Sequence, residues 1–176
     1  AETTFVARAI DTDSKSLQEI FLRAARHKGS AFIEIFQNCN VFNDAAFASF
    51  AERSVRSEKT LQLEHGKPLL FGKERDKGII LKGGKNGLQT TITNVGDVPE
   101  DKLLVHDEKA ETATTAYLLS QMGEPDFPVP LGIFRAVDRP SYEYLLEKQI
   151  DECVEKFGAG NLEAVLDQGD TWEVTE

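Results

Sequence analysis

The sequence predicts an α/β protein, a parallel sheet followed by a small mixed β/α extension, and three observations carry that reading. A strand-like segment, a helical stripe and a second strand follow one another between Thr4 and Gln37. The second strand, Ala31-Phe32-Ile33-Glu34-Ile35-Phe36, is apolar on both faces apart from Glu34, as strands covered on both sides of a parallel sheet are. Beyond Thr60 the pattern changes to short strand-like runs separated by Gly, Lys and Asn turns.

Taken in order, Thr4–Ile10 reads as the first strand, with Phe5, Val6 and Ile10 apolar. Asp11–Ser14 is a polar turn able to cap a helix, and Ser16 with Glu19 fits a capping box. Leu17, Ile20, Phe21, Ala24 and Ala25 recur at helical spacing and make one apolar stripe. Arg26, His27, Lys28 and Gly29 form its end, cations at the negative pole of the helix followed by a residue tolerant of positive φ. After the second strand, Asp44–Lys59 is expected to be one helix on Phe47, Phe50, Ala51 and Val55.

Leu61–Glu64, Pro68–Phe71, Gly78–Lys82 and Leu88–Val95 are predicted strands, and Gly83-Gly84-Lys85-Asn86-Gly87 is a hairpin signal. A domain boundary is therefore placed near Thr60. Leu103–His106 is a further strand, Glu108–Met122 a helix and Leu131–Phe134 a last strand, after the connection through Pro125, Pro128 and Pro130. Tyr142, Leu145, Leu146, Ile150, Cys153, Val154 and Phe157 describe an amphipathic helix with Cys153 expected in the core, and the tail after Gly158 is acidic.

Composition limits the function classes. Hydrophobic residues are 40% and charged residues 28% of 176, the balance of a folded globular chain. No apolar run approaches the ~20 residues of a membrane helix, so a soluble protein without membrane contact is expected. A net charge of −10 argues against nucleic-acid binding, which needs a basic surface. Cys39 and Cys153 could pair as one disulfide, but a chain this apolar has no need of one, and a reducing, cytoplasmic setting is the simpler reading. The first residue is not Met and a strand follows almost at once, which suggests a cleavage or expression boundary at Ala1.

Ligands in open α/β sheets gather at the carboxyl ends of parallel strands. Asn38-Cys39-Asn40-Val41-Phe42-Asn43-Asp44 leaves the second strand at that position and is the stretch richest in polar and thiol groups. On spacing alone the simpler reading is a turn capping the next helix, with Cys39 as a small buried residue. His27, His65 and His106 lack a second ligand at local spacing, so no zinc site is expected. Gly83-Gly84-Lys85 lacks the spacing of a phosphate loop. Lys67, Lys73, Arg75, Lys77, Lys82 and Lys85 concentrate positive charge in the β section, either a solvated face or the working surface of a non-enzymatic interaction module. No nucleophile–base pair is legible, and no residue is assigned to catalysis or to cofactor binding.

The stretch from His27 through Asp44, with Phe5-Val6-Ala7-Arg8 before it, resembles the β subunit of 2-oxoacid:ferredoxin oxidoreductases, most of all the 2-oxoglutarate branch. The likeness continues through Leu61-Gln62-Leu63-Glu64-His65-Gly66-Lys67-Pro68, Leu103-Leu104-Val105-His106-Asp107 and Gly132-Ile133-Phe134-Arg135. It implies a full subunit that binds thiamine diphosphate, magnesium and a four-iron four-sulfur cluster. That subunit works with an α subunit and passes electrons to ferredoxin as a 2-oxoacid is converted to its acyl-coenzyme A thioester. Residues 1–60 would be the carboxyl-terminal part of the thiamine-diphosphate-binding domain, and 61–176 the hairpin-containing extension of this branch. Cys39 matches the cysteine that serves the family as the last cluster ligand. The other three ligands and the magnesium–diphosphate segments have no counterpart in this sequence, so no cofactor is expected on this chain alone. Asn43 and Asp44 match the family pattern without an assigned role, and capping is their simplest use.

Overall fold

The computed structural model describes residues 3–85, 87–170, 172 and 174. The chain divides into two compact units, residues 1–139 and 140–176. In the first, β1 (Phe5–Ile10), α1 (Ser14–Arg26) and β2 (Ala31–Phe36) form the expected strand–helix–strand unit. The two strands are parallel and in step from Phe5 opposite Ala31 to Ile10 opposite Phe36. The α1 cap is Asp13, whose carboxylate accepts from the Ser16 N–H at 3.3 Å, and not the Ser16–Glu19 box. A Ser16 N–H already held by the Asp13 carboxylate has nothing to gain from a second cap. Gly29 takes φ +117° beyond the helix end, as the sequence requires.

The helix expected over Asp44–Lys59 is two single turns, α2 (Ala48–Ala51) and α3 (Arg56–Lys59). Ala45 lies in the left-handed region at φ 59°, and Glu52 is extended. The Arg56 guanidinium takes the Ala51 carbonyl, from Nη2 at 2.7 Å and Nε at 3.3 Å, and so occupies an acceptor that a continuous helix would use.

The strand β3 (Thr60–Leu63) joins the first sheet through β7 (Val129–Ala136), giving the order β2-β1-β7-β3. β7 runs antiparallel to β1, with a register shift between Val6 and Ala7, and parallel to β3. The sheet thus draws strands from both sides of Thr60. β2 is its edge, and Phe32 and Ile35 are exposed, where the sequence suggested cover on both faces. An apolar pattern registers a strand's fitness for burial without showing which neighbours supply it.

A second, antiparallel sheet contains β4 (Leu70–Phe71), β5 (Lys77–Gly84) and β6 (Gly87–Asn94). The β5–β6 hairpin runs from Lys77 opposite Asn94 to Gly84 opposite Gly87, and Asn86 of its turn lies outside the described residues. Leu103–His106 is no strand but an extended segment: the Leu104 N–H donates to the Ile79 carbonyl at 2.7 Å and its carbonyl accepts from Leu69. Two short 3₁₀ turns, Val95–Asp97 and Glu100–Lys102, precede it. The helix predicted over Glu108–Met122 shortens to α4 (Thr114–Ser120). The carbonyls it would have needed are used elsewhere: Glu108 accepts from the Ala136 N–H, and Ala110 and Glu111 accept from the Arg135 guanidinium.

One apolar cluster joins the two sheets through Leu61, Leu69, Ile79, Leu119, Met122 and Phe134. A second, of Phe5, Ala7, Ala9, Ile20 and Ile133, seats α1 on the first sheet. Burial of such side chains contributes roughly 1.5–3 kcal/mol each.

The second unit holds α5 (Tyr142–Phe157), capped by Ser141, and α6 (Leu162–Leu166), capped by Asn161. Gly158 ends α5 at φ +80°. Cys153 is exposed on α5, not in a core: no residue of α5 or α6 is buried, and their apolar side chains are left uncovered. The last part of the acidic tail lies outside the described residues.

Candidate functional site

The loop leaving β2 is organised around Cys39. Asn38, two residues beyond the strand, ties the loop shut with one side chain. The Nδ2 group donates to Asn40 Oδ1 at 2.7 Å and to Asp44 Oδ1 at 2.9 Å, and Oδ1 accepts from the Ala45 N–H at 2.8 Å. The Asn43 N–H donates to the Cys39 carbonyl at 3.0 Å, closing a five-residue turn over the thiol. The backbone N–H groups of Phe42, Val41 and Asn43 favour the charged form of the sulfur. They hold the Cys39 thiol below its ordinary value, the Phe42 N–H most of all, against a smaller opposing effect of desolvation. Amides that favour a thiolate are the environment a metal-binding cysteine needs.

The loop rests on an aromatic floor. Phe36 stacks within 4.9 Å of Phe47 and 5.3 Å of Phe50, measured between ring centres. From the carboxyl end of β1, Asp11 accepts the Asn38 N–H at 3.4 Å, so the ends of both parallel strands meet at this point. Beside them, Arg56 Nη2 donates to Thr12 Oγ1 at 2.8 Å. Above the floor the loop is open: Val41 and Phe42 are 82% and 91% exposed, and Cys39 itself is exposed.

The expected turn is therefore present, with two corrections. Cys39 is not a buried filler: it is exposed, as are Val41 and Phe42 beside it. Asp44 does not cap a helix: α2 begins four residues later behind Phe47, which makes no side-chain cap bond, and the Asp44 carboxylate closes the loop through Asn38. Asn43 serves through its backbone N–H. Asn38, which the sequence reading left as one polar residue among several, makes more loop contacts than any of them. An Asn two residues after a parallel strand, followed by Asx residues at 40 and 44, is the signal that could have found it.

Elsewhere the titratable groups are scattered. Both cysteines are free. The His27 ring bonds Thr4 Oγ1 at 2.8 Å, the exposed His65 sits 3.4 Å from Asp107, and His106 is buried with Nε2 on the Ile133 carbonyl at 2.7 Å. Among the described residues no cluster of three or more His, Cys, Asp or Glu is placed to hold a metal ion. Within the basic run, Lys67 pairs with Glu64 at 2.7 Å and Lys77 reaches Glu58 at 3.9 Å while lying over the Phe71 ring. No described helix is long and apolar enough to cross a membrane. Sequence reasoning missed the charged residues inside the fold, Arg8, Glu108 and Arg135. Their signal was a charge within or beside an apolar strand.

No family model matches the chain. It is 32% identical over 177 aligned residues to the 2-oxoglutarate oxidoreductase subunit KorB of Mycobacterium tuberculosis, an alignment covering 99% of this chain and 46% of that protein. It is 40% identical over 52 residues to the 2-oxoacid:ferredoxin oxidoreductase subunit beta of Saccharolobus solfataricus, covering 30% of this chain and 17% of the relative. Among solved structures, the 2-oxoglutarate:ferredoxin oxidoreductase from Magnetococcus marinus superposes with a TM-score of 0.54 at 18% identity, over 95% of this chain and 41% of that one. At that identity the likeness is one of fold. The aligned part is less than half the length of each of these proteins.

Proposed function

We propose that this chain, 99% of which aligns with a 2-oxoglutarate oxidoreductase subunit, is the carboxyl-terminal part of a 2-oxoacid:ferredoxin oxidoreductase β subunit. The complete enzyme would decarboxylate a 2-oxoacid, 2-oxoglutarate in this branch, oxidatively to its acyl-coenzyme A thioester and pass the electrons to ferredoxin. The chain alone is inactive in this reading, works beside an α subunit in the cytoplasm, and supplies one element of the redox centre. Residues 1–60 belong to the thiamine-diphosphate-binding domain, and 61–176 form its extension.

The observation that carries this reading is the amide-wrapped, exposed Cys39 at the carboxyl end of a parallel strand, in a chain alignable from end to end with such a subunit. The donor set fits one ligand of a four-iron four-sulfur cluster. A thiolate is the donor required, the Phe42, Val41 and Asn43 amides favour that form, and the sulfur faces outward. It does not fit a whole cluster, since among the described residues no group of three or more His, Cys, Asp or Glu is placed to hold a metal ion. Such a cluster supplies one-electron transfer when bound. Hydrogen bonds from backbone amides to its cysteine sulfur raise the reduction potential by stabilising added negative charge. Asn38 acts as the positioning residue, because it fixes the loop whose amides face the sulfur. No described residue is assigned to thiamine diphosphate or magnesium.

The test is to express the complete reading frame anaerobically with its α partner and to compare wild type with Cys39→Ala. The expected result is a folded variant with reduced iron content and lost electron transfer to ferredoxin, but with retained thiamine diphosphate binding. Unchanged iron and unchanged electron transfer would remove Cys39 from the cluster. A gene product that begins at Ala1 by intact mass would remove the reading of the chain as part of a longer subunit.

A further inference from the structure

Away from the Cys39 loop, on the face of the first sheet opposite α1, a cleft of about 690 Å³ lies between β1, β2, β7 and the residues leading into α4. Its walls are largely apolar and aromatic, with Val6, Phe32, Tyr117 and Phe134 among them, and Thr112 and Thr114 contribute hydroxyls. Three charged residues line it: Arg8, Glu34 and Arg135. Arg8 is spoken for, since its Nε donates to Glu34 at 2.6 Å and its guanidinium lies over the Phe36 and Phe134 rings.

Arg135 is different. It is 2% exposed, and its two terminal nitrogens donate to the neutral carbonyls of Ala110 and Glu111 at 3.0 Å each. Its Nε has no acceptor, and among the described residues no carboxylate forms an ion pair with it. A guanidinium is always charged, and a buried charge without a counter-ion is costly. An unused N–H and an uncompensated positive charge on the wall of an open cleft are together the mark of a place for an anion.

We propose that this cleft is a binding site for a carboxylate carried on an apolar, preferably aromatic, body, with Arg135 as its anchor. With Arg8 offset by Glu34, the cleft walls hold a single net positive charge, which matches a monoanionic carboxylate and not a phosphate dianion. The phenyl and aliphatic walls favour the apolar body through their removal from water. The carboxylate has two possible sources, a free organic acid or an Asp or Glu side chain of a polypeptide segment seated in the cleft, and the same chemistry recognises both. This inference is independent of the role of Cys39, and its test uses neither iron nor turnover.

The probes are 3-phenylpropanoate and its uncharged amide, 3-phenylpropanamide, titrated into the ¹⁵N-labelled 176-residue chain while the arginine Nε–H resonances are followed. The acid is expected to bind saturably and to shift the Arg135 Nε–H signal, and the amide to bind at least about tenfold more weakly, the factor that a lost charge-assisted hydrogen bond produces. Arg135→Gln is expected to abolish the preference for the acid. Should that variant fail to fold, Thr112→Trp, at an exposed wall position, decides the question by blocking the cleft with Arg135 left in place. A folded chain that binds acid and amide equally, binds neither, or binds the acid undiminished after Thr112→Trp overturns the proposal. Given binding by the chain, the same titration of the complete subunit identifies the source. Retained binding assigns the site to free acids; lost binding with the Arg135 Nε–H signal already at its acid-bound position assigns it to a polypeptide carboxylate seated there, and lost binding with that signal at its free position overturns the proposal.

Discussion

Arg23 and Glu108 meet in a two-pronged ion pair, Nη2 to Oε1 at 2.6 Å and Nη1 to Oε2 at 3.1 Å, across 85 residues of sequence. Glu108 is buried and Arg23 is partly exposed at the surface of α1, so the two ends of the pair differ in what their loss exposes. Arg23→Ala leaves a buried carboxylate without its cation and is expected to cost about 1–3 kcal/mol, below the range for wholly buried pairs because water reaches the vacated side. The double variant Arg23→Met with Glu108→Leu is expected to recover part of that loss. Urea denaturation of the two variants and the parent, read by circular dichroism, checks the order.

Cys39 is expected to react with iodoacetamide faster at neutral pH than it does in the urea-denatured chain. The Phe42, Val41 and Asn43 amides keep more of it as thiolate, and the pH profile of its alkylation should have its midpoint below that of an ordinary thiol. Asn38→Ala removes the three side-chain bonds that hold those amides in place and should return the midpoint toward the ordinary value. A midpoint unmoved by Asn38→Ala would show that the loop holds its shape without that residue.

His106 is a buried neutral group. Burial, the leading cause, pushes its pKa below the ordinary 6.5, only partly opposed by the Ile133 carbonyl that accepts from its Nε2, and Nδ1 has no partner. The unfolded chain therefore binds a proton at a pH where the folded one does not. Stability is full above about 6.5, the unfolded value, and falls as the pH drops from there toward the lowered folded value. The His106→Gln variant should show a shallower fall over that window, measured by thermal unfolding at a series of pH values, and the His106 ring signals of the parent should titrate late in NMR.

Gly132 stands at φ +119°, and a Cβ placed on it would lie 2.9 Å from the Leu63 carbonyl oxygen in the neighbouring strand. Gly132→Ala is expected to cost about 2–4 kcal/mol, backbone strain and collision together. Gly66 also has positive φ, at +75°, but nothing lies within 4 Å of its Cβ position, so Gly66→Ala should cost no more than about 1 kcal/mol. Equal losses in a denaturant series would mean that β3 and β7 shift apart freely.

The strand–helix–strand start was legible because its signal is local: two apolar runs, an amphipathic stripe and a glycine at the helix end each follow from neighbours in sequence. The second sheet was legible for the same reason, through its turn residues. What stayed hidden was governed mostly by long-range partners. Arg135 reaches the Ala110 and Glu111 carbonyls and so shortens the predicted helix over 108–122, and no periodicity records a guanidinium arriving from elsewhere. The helix predicted over 44–59 is divided by a local bond that periodicity does not record either, from Arg56 to the Ala51 carbonyl. The placement of β7 between β1 and β3 depends likewise on pairing across more than sixty residues. At the candidate site, the position of Cys39 after the parallel strand could be read directly. The role of Asn38 could not, because it consists of a geometry among side chain and backbone groups that spacing does not encode.

The central position of β7 has a consequence for how the chain acquires its shape. β1 and β3 touch no common neighbour except β7, so a ribosome must release residue 136 before the two can be joined in one sheet. Among the described strands β1 has only β2 beside it until β7 arrives, so the first sheet closes when that late segment takes its place between two earlier ones.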